Sequence, residues 1–250
     1  MQEAVTVPNN FVTAMHTLST VLDLQLPWPR PVKYTPTEAD DPILIWGASS
    51  SVGQYTIQIL KYFGFRNVIV TASQKHHQML QGLGAAACFD YRSSNVANEI
   101  ITHFRNDSRQ VAIPFIIDCI GSKNNSLAVL AKIARPGAHV AVMLPVIVRD
   151  ATDNIAPEYS QDASASVPWE SGVQVSGVRT HFYLENTFFA EHLQPTIMPA
   201  MLEEGIIKPN RYRIIEAPTL VQRAQAALDA LRRKEVSGER LVWRVSQNVS

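Results

Sequence analysis

The stretch Ile43-Leu44-Ile45-Trp46-Gly47-Ala48-Ser49-Ser50-Ser51-Val52-Gly53 narrows the possible folds more than any other. Four consecutive apolar residues read as a strand covered on both faces, because a half-exposed strand would alternate with polar residues. A turn of small residues follows. Val52, Tyr55, Ile59 and Phe63 then recur at helical steps until Gly64 stops the helix. The same unit repeats downstream. Val68-Ile69-Val70, Ala86 to Phe89, Phe115-Ile116-Ile117 and His139 to Leu144 read as further strands. Helices are read from Lys75 to Leu83, along Val96, Ile100, Ile101 and Phe104, and through Leu127, Leu130 and Ile133. Strands alternating with helices over short links predict an α/β fold with a doubly wound parallel sheet and right-handed crossovers.

The flanks are less regular. Phe11, Met15, Leu18 and Leu22 form a helical stripe before the first strand, and Pro27-Trp28-Pro29-Arg30-Pro31 reads as a rigid linker. Residues 1–39 are therefore taken as a connecting helix and Pro-rich linker, and residues 40–250 as the main domain. Arg149 to Ser171 is rich in Asp, Ala, Ser and Pro and reads as a loop excursion, with Val173 to Val178 returning as a strand. Leu193 to Glu204 reads as a helix stopped by Gly205. Thr219 caps a helix carrying Val221, Ala224, Leu228 and Leu231, and Leu241 to Val245 closes the chain as a strand.

Composition excludes several classes. Lys+Arg and Asp+Glu are equal at 22 each in 250 residues, so neither nucleic acid nor an anionic membrane is an expected partner. The longest apolar candidate, Val140 to Val148, is interrupted by Pro145 and falls short of the roughly 18 residues of a spanning helix. Met1 to Asn10 carries no secretory signal pattern. Cys88 and Cys119 lie in apolar runs and in no Cys/His cluster, which suggests a reducing, cytoplasmic setting.

The chemistry is expected at the ends of the first two strands. Small residues from Gly47 to Gly53 let backbone N–H groups approach a pyrophosphate, and the helix that follows offers its positive end. Gly47 suits the tight turn, Gly53 suits close packing of the helix on the sheet, and the three serines offer hydroxyl donors. The middle glycine of the usual dinucleotide fingerprint is missing. At the end of the second strand, Thr71-Ala72-Ser73-Gln74-Lys75-His76-His77 has no carboxylate to hold ribose hydroxyls. Ser73 with Lys75 or His76 suits a 2′-phosphate instead, which favours NADP(H) over NAD(H).

Other chemistries fit less well. Gly47-Ala48-Ser49-Ser50-Ser51 is not a nucleophile elbow, because its fifth position is Ser51. The GASSSVG turn is similar to the GASSGIG turn of short-chain dehydrogenases, but no Tyr is followed four residues later by Lys. The seven histidines are scattered and no metal-ligand spacing appears, so no metal is predicted. His181 reads as a packed or surface histidine.

Taken together, the ordered segments resemble the nucleotide-binding half of zinc-independent medium-chain dehydrogenase/reductases, and more narrowly the fungal trans-acting enoyl reductases of polyketide clusters. The match rests on Asp40 to Gly64, Val70 to His76, Phe89 to Tyr91, Phe115 to Ser122 and Val236 to Val245, with Leu26 to Pro31 resembling the linker before the cofactor domain. The resemblance implies a Rossmann-like domain holding NADPH. Ser49, Ser50, Ser51 and Val52 would hold the pyrophosphate, flanked by Gly47 and Gly53. Ser73 and His76 would meet the 2′-phosphate, with Tyr91 nearby. Ile120 and Gly121 would line the crevice, Leu144 and Pro145 the nicotinamide ribose, and Val236 and Ser237 the nicotinamide end. No catalytic side chain is assigned.

Such reductases begin with a GroES-like, β-rich domain forming the other cleft wall, and the resemblance implies that this domain is absent here. Losing one wall removes substrate orientation, worth up to roughly 7–11 kcal/mol. The expected function is NADPH-dependent reduction of an activated C=C bond in a small-molecule or carrier-bound acyl substrate, with a second copy or partner subunit covering the cleft. The alternative is a non-redox biosynthetic catalyst (isomerase, dehydratase or cyclase) or a scaffolding subunit reusing the fold.

Overall fold

The computed structural model describes residues 2–105, 113–152 and 154–246. Met1 and Asp153, which belong to two of the segments read above, lie outside them. In chain order come α1 (Pro8–His16), β1 (Ile43–Trp46), α2 (Ser51–Phe63), β2 (Val68–Thr71), α3 (His77–Leu83), β3 (Ala87–Phe89), α4 (Val96–Arg105), β4 (Phe115–Asp118), α5 (Ala128–Ile133) and β5 (His139–Met143). There follow β6 (Val146–Arg149), β7 (Glu158–Ser160), β8 (Gln174–Val178), α6 (Thr187–His192), α7 (Met198–Glu203), β9 (Tyr212–Ile214), α8 (Leu220–Arg232) and β10 (Arg240–Val242).

Six strands form one sheet in the order β3-β2-β1-β4-β5-β8, every neighbouring pair parallel. The chain builds outward from β1 to β3, then crosses back to lay β4 against the other side of β1. Trp46 pairs with Asp118 at the C-terminal ends of these two strands. A crevice therefore opens there, where ligands of open α/β sheets bind.

The unbroken apolar run of β1 follows from coverage on both faces. Ile43 and Ile45 enter one core with α1 and α2, through Phe11, Met15, Ile59 and Phe63. Leu44 and Trp46 enter the other with α4 and α5, through Val96, Ile100, Leu130 and Ile133. The segment before β1 is part of the first core. Phe11 meets Tyr55 edge-on at 6.5 Å. The Tyr55 hydroxyl donates to the Thr6 carbonyl at 3.3 Å and accepts from the Asn210 N–H at 3.2 Å, tying the segments before β1 and before β9 to α2.

Several segments differ from the sequence reading, among them α6 and β9, which carry no reading at all. The Arg149–Ser171 excursion contains β7, which pairs antiparallel with β6 through Val146–Ser160 and Ile147–Tyr159, with an irregularity between Ile147 and Arg149. The helix read from Leu193 starts as a π-helical turn, Leu193–Ile197, and becomes α7 only at Met198; Pro195, lacking an N–H, lies inside that turn. The closing strand spans only Arg240–Val242 and pairs in parallel with β9, apart from the main sheet, while Val245 is 74% exposed. On α8 the apolar stripe faces outward, with Val221 76% and Leu228 57% exposed, and the buried side is Arg223, Ala227 and Ala230.

Candidate functional site

The turn after β1 is built by hydrogen bonds to β2. The Gly47 N–H donates to Thr71 Oγ1 at 3.1 Å and the Ala48 N–H to the Thr71 carbonyl at 3.0 Å. Gly47 sits at φ +74°, a conformation that glycine adopts without a Cβ penalty. Ser50 caps α2, its hydroxyl accepting from the Gly53 N–H at 3.2 Å. Gln54 Nε2 donates to the Ser49 carbonyl at 2.8 Å. The N–H groups of Ser51 and Val52 take no acceptor among the described residues, so two backbone donors at the positive end of α2 face the crevice. Gly53 is needed for a different contact from the one expected. A Cβ there would lie 2.6 Å from Ala48 Cα and 2.7 Å from its carbonyl oxygen, so the close approach is to the turn rather than the sheet.

Beyond β2 the chain turns through Gln74–His76 into α3. Ser73 is buried, and its hydroxyl faces the exposed Tyr91 phenol; that contact and then Arg92 hold the Tyr91 pKa below its usual value. His76 Nε2 lies 2.8 Å from Ser237 Oγ, which brings the loop before β10 onto the end of β2. Gly238 sits against the same imidazole, and its carbonyl also lies 3.5 Å from Gln54 Nε2. Burial, then Lys75, Arg211, His77 and Arg92, hold the His76 pKa below its ordinary value. The segments carrying Ser49–Gly53, Ser73, His76, Tyr91 and Ser237 thus come together along one side of the crevice, with Val236 half-buried next to Ser237.

The other side is the turn after β4. The Ile120 side chain lies over Gly47, where a Cβ would fall 2.5 Å from Ile120 Cδ1. Gly121 packs on the exit of β5, 2.6 Å from the Met143 carbonyl oxygen to an ideal Cβ, and its carbonyl accepts from the Ile147 N–H at 2.7 Å. Leu144 covers Gly177 of β8, and Pro145 is exposed at the rim.

Asp118 holds that turn and was not read as a site residue. It is fully buried, accepting from Ser126 Oγ at 2.6 Å and from the Ile120 N–H at 2.9 Å. Burial pushes its pKa up to about 6, opposed by the hydrogen bonds from Ser126, Ile120 and Gly121. The sequence signal was a carboxylate ending the apolar run Phe115-Ile116-Ile117. Burial next to Asp118 pushes the Cys119 thiol up to about 12, so it stays protonated and is no nucleophile at neutral pH. His181 is exposed and stacks edge-on against Phe182 at 4.5 Å.

Comparison with known proteins bears on the fold. The family described as zinc-binding dehydrogenase matches from residue 51 to residue 145, the stretch from the start of α2 to the exit of β5. The chain is 46% identical over 79 residues to the trans-enoyl reductase tazE of Aspergillus terreus, covering 32% of this chain and 25% of that protein. A trans-enoyl reductase of Gibberella fujikuroi is 24% identical over 208 residues, 82% of this chain and 55% of its own length. The fold superposes on the CurK enoyl reductase with a TM-score of 0.64 at 16% identity, over 97% of this chain and 62% of that one. CurA from Vibrio vulnificus, solved in complex with NADPH, superposes with a TM-score of 0.61 at 18% identity over 98% and 64%. The chain thus spans between a quarter and a little over half of these two curated relatives.

The family's description names zinc, but the described residues offer no ligand set for it. Among the described residues no three His, Cys, Asp or Glu side chains come together as a ligand set. Nor is any helix among them long and apolar enough to cross a membrane.

Proposed function

We propose that the crevice binds NADPH and that the protein is a reductase of an activated C=C bond in an enoyl or polyketide-like substrate. The observation that carries the reading is the convergence of Ser73, Lys75, His76 and Tyr91 beside the open end of α2, with no carboxylate at the end of β2. The trans-enoyl reductase relatives support the substrate class.

The residues fit the dinucleotide. The small-residue turn leaves the Ser51 and Val52 N–H groups, at the positive end of α2, as donors to a pyrophosphate. Ser73 supplies a hydroxyl, His76 a ring nitrogen and Lys75 a cation for a 2′-phosphate, and a carboxylate that would repel one is missing from that turn. Ile120 and Gly121, held by Asp118, form the apolar wall opposite. When bound, the nicotinamide supplies hydride. The chain's part is to orient the dinucleotide along the ends of β1 and β2 and to keep the crevice wall in place.

The test is to mix protein and NADPH with a panel of enoyl thioesters and follow the nicotinamide absorbance. The expected result is loss of that absorbance with at least one thioester. Product formed with no nicotinamide consumed would instead support a non-redox catalyst on the same fold.

A further inference from the structure

The residues around His76 carry more positive charge than the turn after β2 accounts for. A cavity of about 330 Å³ opens beside the imidazole, lined by Lys75, His76, Met79 and Ser237, and also by Arg211, Glu235 and Glu239 from the C-terminal segment. The two glutamates are already engaged. Glu235 accepts from Arg233 Nε at 2.5 Å, and Glu239 pairs with Arg213 Nε at 3.1 Å. The side chains of Lys75, Arg92 and Arg211 form no ion pair among the described residues, although the Arg92 N–H donates to Asp90 Oδ1 at 2.9 Å. Arg92 lies over the Tyr91 ring at 5.5 Å, whereas Arg211 is exposed and its side chain has no hydrogen bond among the described residues. Three cations left unbalanced around one imidazole repel one another, and an anion placed among them relieves that repulsion.

The backbone explains why Arg211 stands there. Its carbonyl accepts from the Arg240 N–H at 2.8 Å as the first rung of the β9–β10 pair, and the loop leading into β10 is fastened to His76 through Ser237. The guanidinium is therefore delivered to the end of β2 by a part of the chain more than a hundred residues away.

We propose that Arg211 is a specificity-determining ligand of the 2′-phosphate, so that the choice of NADPH over NADH is made jointly by the Ser73–His76 turn and the β9–β10 pair. This rests on reading the crevice as a dinucleotide site. A guanidinium can bind two phosphate oxygens at once, which a neighbouring lysine cannot do.

The experiment is calorimetric titration of the full chain with adenosine 2′,5′-bisphosphate and with 5′-AMP, probes that differ by the phosphate alone. Nuclear magnetic resonance of the His76 ring is followed in the same samples. The wild-type protein is expected to prefer the bisphosphate and to show an upward shift of the His76 titration when it binds. Arg211→Ala is expected to lose roughly 10- to 100-fold in bisphosphate affinity, the worth of a charge-assisted hydrogen bond, with 5′-AMP little changed. Arg211→Lys is expected to recover part of the loss. Full preference for the bisphosphate in both variants, each with a wild-type circular dichroism spectrum, overturns the role of Arg211 while leaving the site reading intact. A wild-type protein that binds neither probe overturns the site reading itself, and the Arg211 proposal with it.

Discussion

His76 Nε2 and Ser237 Oγ are 2.8 Å apart although 161 positions separate them in the chain. This one bond fastens the loop before β10 to the turn after β2, so this side of the crevice is assembled from two distant segments. Ser237→Ala is expected to remove it at a cost of about 0.5–1.5 kcal/mol. Amide exchange in Arg240–Val242 then rises by roughly 2- to 10-fold while the amides of β1 are unchanged. Equal exchange in both proteins contradicts the fastening role.

Asp118 gives the fold a pH dependence of unusual sign. Its pKa is raised from 3.8 to about 6 by burial, so the folded protein holds this proton more tightly than the unfolded chain does. The associated stability is present below the unfolded value and is lost as pH rises through 6. Asp118→Asn removes the titration. Comparing the two proteins, the wild-type chain is expected to lose roughly 3 kcal/mol relative to the variant between the acid end and neutrality. Thermal unfolding across that pH range checks it, and parallel curves contradict the assignment.

Gly53 sets two effects against each other. In a helix, Gly→Ala ordinarily stabilises by about 1 kcal/mol. Here the added Cβ would sit 2.6–2.9 Å from the Ala48 backbone, which cannot move without disturbing the turn. Overpacking of this kind costs roughly 1–3 kcal/mol, so the net effect of Gly53→Ala is expected to be a lower Tm and weaker dinucleotide binding. A higher Tm would show that the turn yields freely.

Tyr55 tests whether the segment before β1 is a working part of the core. Tyr55→Phe leaves the Thr6 carbonyl and the Asn210 N–H without this partner. The expected loss is about 1–3 kcal/mol, read as a lower urea midpoint at unchanged m. An unshifted midpoint would mean that these two bonds contribute nothing.

Much of the architecture was legible because it depends on local pattern. Ile43 to Trp46 had to be apolar throughout to enter two cores, and Thr219 with Gln222 forms the capping box that starts α8. The turn of small residues likewise announced the open end of α2. What stayed hidden depends on distant partners. Tyr212–Ile214 carries no strand signal of its own, since its pairing with Arg240–Val242 is what makes it a strand. Arg211 reads as one more surface arginine until β9 places it beside Lys75 and His76. The outward stripe of α8 was unreadable for the opposite reason: helical spacing tells which residues share a face, not which face is covered.

The most direct measurement is calorimetric titration of the full chain with NADPH and NADH under one set of conditions. The account predicts saturable binding of NADPH with an affinity at least roughly tenfold above that of NADH, the worth of about one charged hydrogen bond to the additional phosphate. Equal affinity for the two, or no heat with either, contradicts it.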